Sequence, residues 1–163
     1  MKLKPAFTSM FVFSAVILGA CGNTQETSEE AESTHEEHVS GDLREETASA
    51  DSLPKFLADK PDDMKILYQA AAQHQELLEN IPCYCGCGES AGHTSNYDCF
   101  VHDNKENGAV VWDDHGTRCG VCLEIAAESI TDYSKGKSIK EIRQNIDEKY
   151  KEGYAKPTLT PGV

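Results

Sequence analysis

A mainly α fold is predicted: a small helical domain in which a long cysteine-rich irregular region separates the first helix from a C-terminal helix pair. Three features of the chain predict it. Apolar residues recur at helical spacing in three segments. The stretch 83–116 between the first two segments is rich in glycine and polar residues and lacks that period. Large aromatics are few, with Trp112 the single tryptophan, so a thin core calls for covalent or metallic cross-links.

The first helix begins after Pro61, capped by Asp62 or Asp63, and runs to about Asn80. Met64, Leu67, Ala71 and Leu78 share a face with Tyr68 flanking it, and Pro82 ends the segment. After a turn over 104–108, Ala109-Val110-Val111-Trp112 reads as a short strand. The second helix runs from about Thr117 to Lys135, with Val121, Ile125 and Ile130 apolar and Gly136 at its end. The third opens on Ser138-Ile139-Lys140-Glu141, the pattern of a capping box. Its stripe of Ile139, Ile142, Ile146 and Tyr150 has core spacing.

Ahead of this domain the chain changes character. Lys2 and Lys4 precede an apolar run over 11–18 and then Leu18-Gly19-Ala20-Cys21, so 1–20 reads as a secretory signal peptide too short to be a good membrane span. Cysteine directly after Leu-Gly-Ala resembles the lipobox of bacterial lipoproteins, which makes Cys21 the lipidation site. Two acyl chains suffice for stable anchoring. Residues 21–52 carry many acids against Arg44 alone and almost no large apolar residue, so they read as an acidic disordered tether, with His35 and His38 as solvated linker residues. The folded domain is then 53–154, and 155–163 a flexible tail. A net charge of −13 argues against nucleic acid and anionic lipid surfaces as partners.

Setting Cys21 aside leaves six cysteines: Cys83, Cys85, Cys87, Cys99, Cys119 and Cys122. Alternate cysteines cannot easily bridge one another. The triplet Cys83, Cys85, Cys87 must therefore find partners farther along or a metal ion. The pair Cys119 and Cys122 opens a helix, where the helix end favours thiolate. Both a disulfide framework and a thiolate metal site fit an even count outside the cytoplasm. Sulfur-rich ligation selects copper(I), or zinc where four sulfurs suffice. His93, His102 and His115 can complete a coordination sphere, although each alone reads more simply as a surface or hydrogen-bonding residue. Met64 is the one methionine beyond the signal segment, which excludes a methionine-rich copper site. No histidine follows the Cys119/Cys122 pair as haem attachment requires, and ferredoxin spacing is absent. A phosphate-binding glycine loop is absent too. Asp113, Asp114 and His115 read as a turn with solvated carboxylates.

A redox use would make Cys119 the attacking thiolate and Cys122 the resolving one. The run 118–122 with Gly136-Lys137-Ser138, Glu141-Ile142 and Tyr150 resembles the helix pair of the cytochrome c maturation thiol reductases. A closer resemblance covers most of the chain. Pro82-Cys83-Tyr84-Cys85-Gly86-Cys87-Gly88, the Cys99 region, the Cys119/Cys122 pair and the Ser138 helix are similar to the bacterial lipoproteins with a PCYCGC motif, found mainly in Gram-positive bacteria such as bacilli. That resemblance implies the outer face of the cell membrane and marks Cys83, Cys85 and Cys87. It implies no reaction. The expectation is a non-enzymatic, membrane-anchored, extracytoplasmic lipoprotein that binds copper(I) or zinc for capture, buffering or delivery to an envelope metalloprotein. A disulfide-stabilised binding module and a thiol–disulfide exchange protein are the alternatives.

Overall fold

A computed structural model describes the backbone of residues 36–39 and the whole of 41–163. The signal segment, Cys21 and His35 lie outside the described residues, as does the side chain of His38.

The architecture is mixed α/β, which corrects the mainly α expectation. Among the described residues four antiparallel strands form one sheet in the order β1-β2-β4-β3, comprising β1 (Glu36–Val39), β2 (Asp42–Thr47), β3 (Val101–Asn104) and β4 (Val110–Asp113). The β4 strand was foreseeable, because Lys105 and Gly108 close the tight hairpin turn before it and Gly108 adopts φ +90°. Its neighbours were not. Strands β1 and β2 fall inside the acidic stretch read as a tether, so the folded part begins well before residue 53.

Charge misled there for a physical reason. Burying a carboxylate is costly only when it lacks partners, and those on β2 have them. Glu45 is 2 % exposed and accepts the Lys55 backbone N–H at 2.8 Å. Arg44, paired in register with Asp113, places its Nε 3.1 Å from that carboxylate. Trp112, on β4, is fully buried, and its indole N–H donates to Thr47 Oγ1 on β2 at 2.8 Å.

Among the described residues five helices follow the sheet or lie between its strands: α1 (Asp62–Gln73), α2 (Gln75–Glu79), α3 (Cys87–Ser90), α4 (Gly120–Ser134) and α5 (Ile139–Tyr150). The predicted first helix is broken at His74, whose backbone leaves helical geometry while Nδ1 meets Ala70 O at 2.7 Å and the ring edge meets Tyr133. Beyond the break, Leu77 and Leu78 are both buried in the core. Tyr68 is also fully buried rather than flanking. It packs edge-on against Phe100 at 5.1 Å, and its hydroxyl donates to Asp113 O at 3.0 Å.

The second helix starts at Gly120, after a 3-10 turn over His115–Arg118. The Ser138 capping box is present on α5, and Ile142, Ile146 and Tyr150 are buried. Residues 155–163 are not a flexible tail. Thr158 N–H donates to Cys83 O at 3.0 Å, Ala155 N–H to Tyr84 O at 3.1 Å, and Thr160 Oγ1 to Thr94 O at 2.8 Å. Arg143 also donates to Pro161 O. The segment is a strap laid along the cysteine motif.

Candidate metal centre

Each element at the centre of the molecule delivers a sulfur. Residues 83–85 leave α2 extended, so alternate side chains face opposite ways. Cys83 and Cys85 point inward. Tyr84 points to α5, stacking on Tyr150 at 5.7 Å and donating to Asp147 Oδ1 at 2.7 Å. Gly86, at φ +90°, reverses the chain so that Cys87 opens α3 below the other two. Cys99 ends a 3-10 turn held by Asn96, whose C=O accepts the Cys99 N–H at 3.3 Å while its own N–H donates to Ile81 O and its side-chain amide to Cys122 O. Cys119 caps α4, its sulfur accepting the Cys122 N–H at 3.4 Å.

All six cysteines are free thiols. Cys83 Sγ lies 3.4 Å from both Cys85 Sγ and Cys122 Sγ, and Cys122 Sγ lies 3.5 Å from Cys85 Sγ. Cys99 Sγ is 3.9 Å from both Cys83 Sγ and Cys87 Sγ. A disulfide needs sulfurs about 2.05 Å apart. A tetrahedral ion with metal–sulfur bonds of about 2.3 Å sets its sulfurs about 3.8 Å apart. The observed spacing suits the second.

Three tetrads have ligand atoms all within 4.8 Å of one another: Cys83, Cys85, Cys87, Cys122; then Cys85, His115, Cys119, Cys122; and Cys87, His93, Cys99, His115. The cluster can therefore hold a metal ion. Cys83, Cys87, Cys99 and Cys122 are buried, while Cys85 and Cys119 are half-buried and form its mouth. His115 places Nε2 3.9 Å from Cys85 Sγ and Nδ1 3.3 Å from Asp42 Oδ1. His93 approaches Cys99 Sγ through Nδ1 at 3.5 Å, and its buried Nε2 has no hydrogen-bond partner among the described residues.

His102 is not part of the cluster. It sits exposed on β3, at an irregularity in the strand register. The carboxylates of Asp113 and Asp114 are not solvated either, which corrects the second expectation for this stretch. Asp113 is fully buried and accepts the His115 N–H, and Asp114 accepts the Leu43 N–H at 2.8 Å. A further grouping of Asp42, His93 and Asp113 meets the same distance limit. Its carboxylates are already committed, Asp113 to Arg44 and Asp42 to Arg118, and of the two histidine rings only that of His115 meets one of them, at Asp42.

Proton sharing among the thiols is uneven. Hydrogen bonding from Cys122 first, with help from Cys87 and Cys99, brings Cys83 down to about 4. Cys85 is lowered strongly by Cys119 and then by Cys122 and Cys83. Cys122, donating to Cys119, Cys83 and Cys85, is pushed up and keeps its proton. Burial raises Cys99, and Cys83 and Cys85 raise Cys87 although Cys122 pulls the other way. His115 is raised to about 10 by Cys119, then Cys85, with Asp42 adding to it, whereas burial lowers His93. The ionised Cys85 thus stands at the mouth beside the His115 imidazolium, with Cys83 ionised beneath it and Cys87, Cys99 and Cys122 protonated.

Several residues that shape the site carry no local sequence signal: Asp42, Arg44, Arg118 and Thr158. Tyr84 has one, since it occupies the outward position between alternate cysteines. Gly116 is a close-approach glycine, because a Cβ there would lie 2.9 Å from Cys99 O, Phe100 Cε1 and the Tyr68 hydroxyl.

Over residues 10–163 the chain matches the family described as a protein of unknown function with PCYCGC motif. No curated protein and no solved structure matches it. Residues 82–87 spell that motif, and they supply three of the six sulfurs. The chain belongs to the PCYCGC-motif family, whose function is unknown.

Proposed function

We propose that this protein is a lipid-anchored, extracytoplasmic metal-binding protein that captures a soft ion through clustered thiolates, with copper(I) ahead of zinc. The observation that carries the proposal is the set of four sulfurs at Cys83, Cys85, Cys87 and Cys122, all within 4.8 Å and none bridged. Sulfur donors favour copper(I) over harder ions, and the cysteines outnumber the four ligands of a structural zinc. An arriving ion meets the half-buried Cys85 and Cys119 first, where Cys85 is already ionised, and displaces protons from the thiols beneath.

Anchoring through Cys21 and an outward-facing position rest on the lipobox-like Leu-Gly-Ala-Cys and the basic, apolar start of the chain. Capture, buffering or delivery to an envelope metalloprotein is the role this placement supports. The test is equilibrium titration of the full-length chain, purified reduced and without oxygen, with copper(I) and separately with zinc. Stoichiometric uptake by the wild type, lost in the Cys85→Ser, Cys87→Ser double variant, which removes a ligand from every tetrad, is the expected result. Equal uptake by both proteins refutes the proposal. Thiol counting on the same sample tests the competing framework, since bridged cysteines would not react.

A further inference from the structure

The three tetrads cannot be filled independently. The first and second share Cys85 and Cys122, the first and third share Cys87, and the second and third share His115. An ion in any one of them removes a ligand from each of the others. Holding two ions therefore requires a shared donor. His115 is poorly placed to be that donor, since one ring nitrogen faces Cys85 and the other faces Asp42. Thiolate sulfur has lone pairs for two ions, and the sulfurs here form a connected set, with Cys83 within 3.9 Å of Cys85, Cys122 and Cys99.

We infer that the six cysteines hold a polynuclear, sulfur-bridged copper(I) cluster rather than a single ion. This rests on the proposal that the site binds a soft metal. A lone ion in the all-sulfur tetrad would leave Cys99 and Cys119 unused, although Cys99 is fully buried with its sulfur turned to Cys83, Cys87 and His93. Four thiolates on one monovalent ion would also leave a net negative charge uncompensated in a buried place, which is costly. Several monovalent ions sharing those sulfurs neutralise most of that charge. If each sulfur bridges two ions and each copper(I) takes three sulfurs, the capacity is about four ions per chain. Every ionised thiol releases its proton to solvent as the cluster assembles, and no electron transfer is involved. His93, with a buried Nε2 lacking a partner among the described residues, provides a nitrogen donor on the Cys87 and Cys99 side.

The experiment uses the reduced full-length chain titrated with copper(I) against a chromophoric copper(I) chelator. Native mass spectrometry reads the species present, and the emission of copper–thiolate clusters is followed under ultraviolet excitation. The expected result is about four copper(I) per chain, appearing together as one loaded species with orange-red emission. Cys99→Ser and Cys119→Ser each spare the all-sulfur tetrad, so both variants should still bind copper(I) but with fewer ions and little emission. Serine is a good helix cap, so Cys119→Ser decides the matter if circular dichroism shows Cys99→Ser unfolded. Saturation of the wild type at one ion, unchanged in the variants, overturns the cluster and leaves single-ion capture standing. No uptake by the wild type overturns both.

Discussion

Thr158→Val removes one oxygen, and with it two hydrogen bonds, to Cys83 N–H and to Thr160 Oγ1 at 3.0 Å. Thr158 Oγ1 accepts the backbone N–H of Cys83 at 2.9 Å, in a place where Cys83 is 0 % exposed. Valine keeps the shape and the Thr158 N–H to Cys83 O bond, so the strap retains one of its two links to that residue. The Cys83 N–H is then buried without an acceptor, a loss of about 1–3 kcal/mol. In a domain whose total stability is about 5–15 kcal/mol, that is a large fraction. Urea denaturation of the reduced, metal-free protein measures it, and Thr158→Ser, which restores the oxygen, should recover most of the loss. The cysteine loop is the part perturbed, so copper(I) affinity should fall as well, by roughly tenfold for each 1.4 kcal/mol that the bound state must recover. A Thr158→Val protein within about 0.5 kcal/mol of wild type would refute the docking of the strap on the motif, since that is the range of an ordinary surface change.

Gly116→Ala should cost about 1–3 kcal/mol by overpacking against Cys99 O, Phe100 and Tyr68, all 2.9 Å from the added methyl; thermal melts of the metal-free protein check it. Arg44→Met leaves the fully buried Asp113 carboxylate without its guanidinium partner, and a loss of about 3–5 kcal/mol is expected in the same assay. Burial pushes Tyr97 up to about 12 and Tyr68 well above its ordinary value. Both tyrosines favour folding fully below pH about 10, where unfolded tyrosine ionises, and that contribution is lost as pH rises from there through the folded values. Alkaline titration followed by phenolate absorbance and circular dichroism should show their ionisation coinciding with unfolding. Bound copper(I) should raise the melting temperature, by an amount equal to about 2.7 kcal/mol at a hundredfold excess over Kd, and a chelator should reverse the shift.

The helical parts were readable because their signals are local. Ser138 and Glu141 make the capping box across one turn, and the period of Ile142, Ile146 and Tyr150 marks the buried face without reference to anything else. The break at His74 was not readable, since it depends on a contact with Tyr133 far along the chain. Strand β2 was hidden for a similar reason. Its acids look like linker residues until Arg118 and the Lys55 N–H are brought to Asp42 and Glu45.

The candidate ligands divide in the same way. Cysteine is scarce and chemically distinctive, so the six thiols and the alternation at Cys83, Cys85 and Cys87 stand out in the bare chain, and the even count limits what they can do. Sequence alone thus determined the candidate donor atoms and the capped third helix, whereas α1 has Pro61 at its cap with no side-chain cap bond from Asp62 or Asp63. Which donors meet was decided only by tertiary structure: His93 and His115 enter the cluster, His102 stays outside on β3, and the strap closes on Cys83. Spacing along a chain constrains neighbours within a turn or a strand. Convergence of sulfurs from four segments, within 4.8 Å in each tetrad, depends on how α2, α3, α4 and the sheet pack around a shared core.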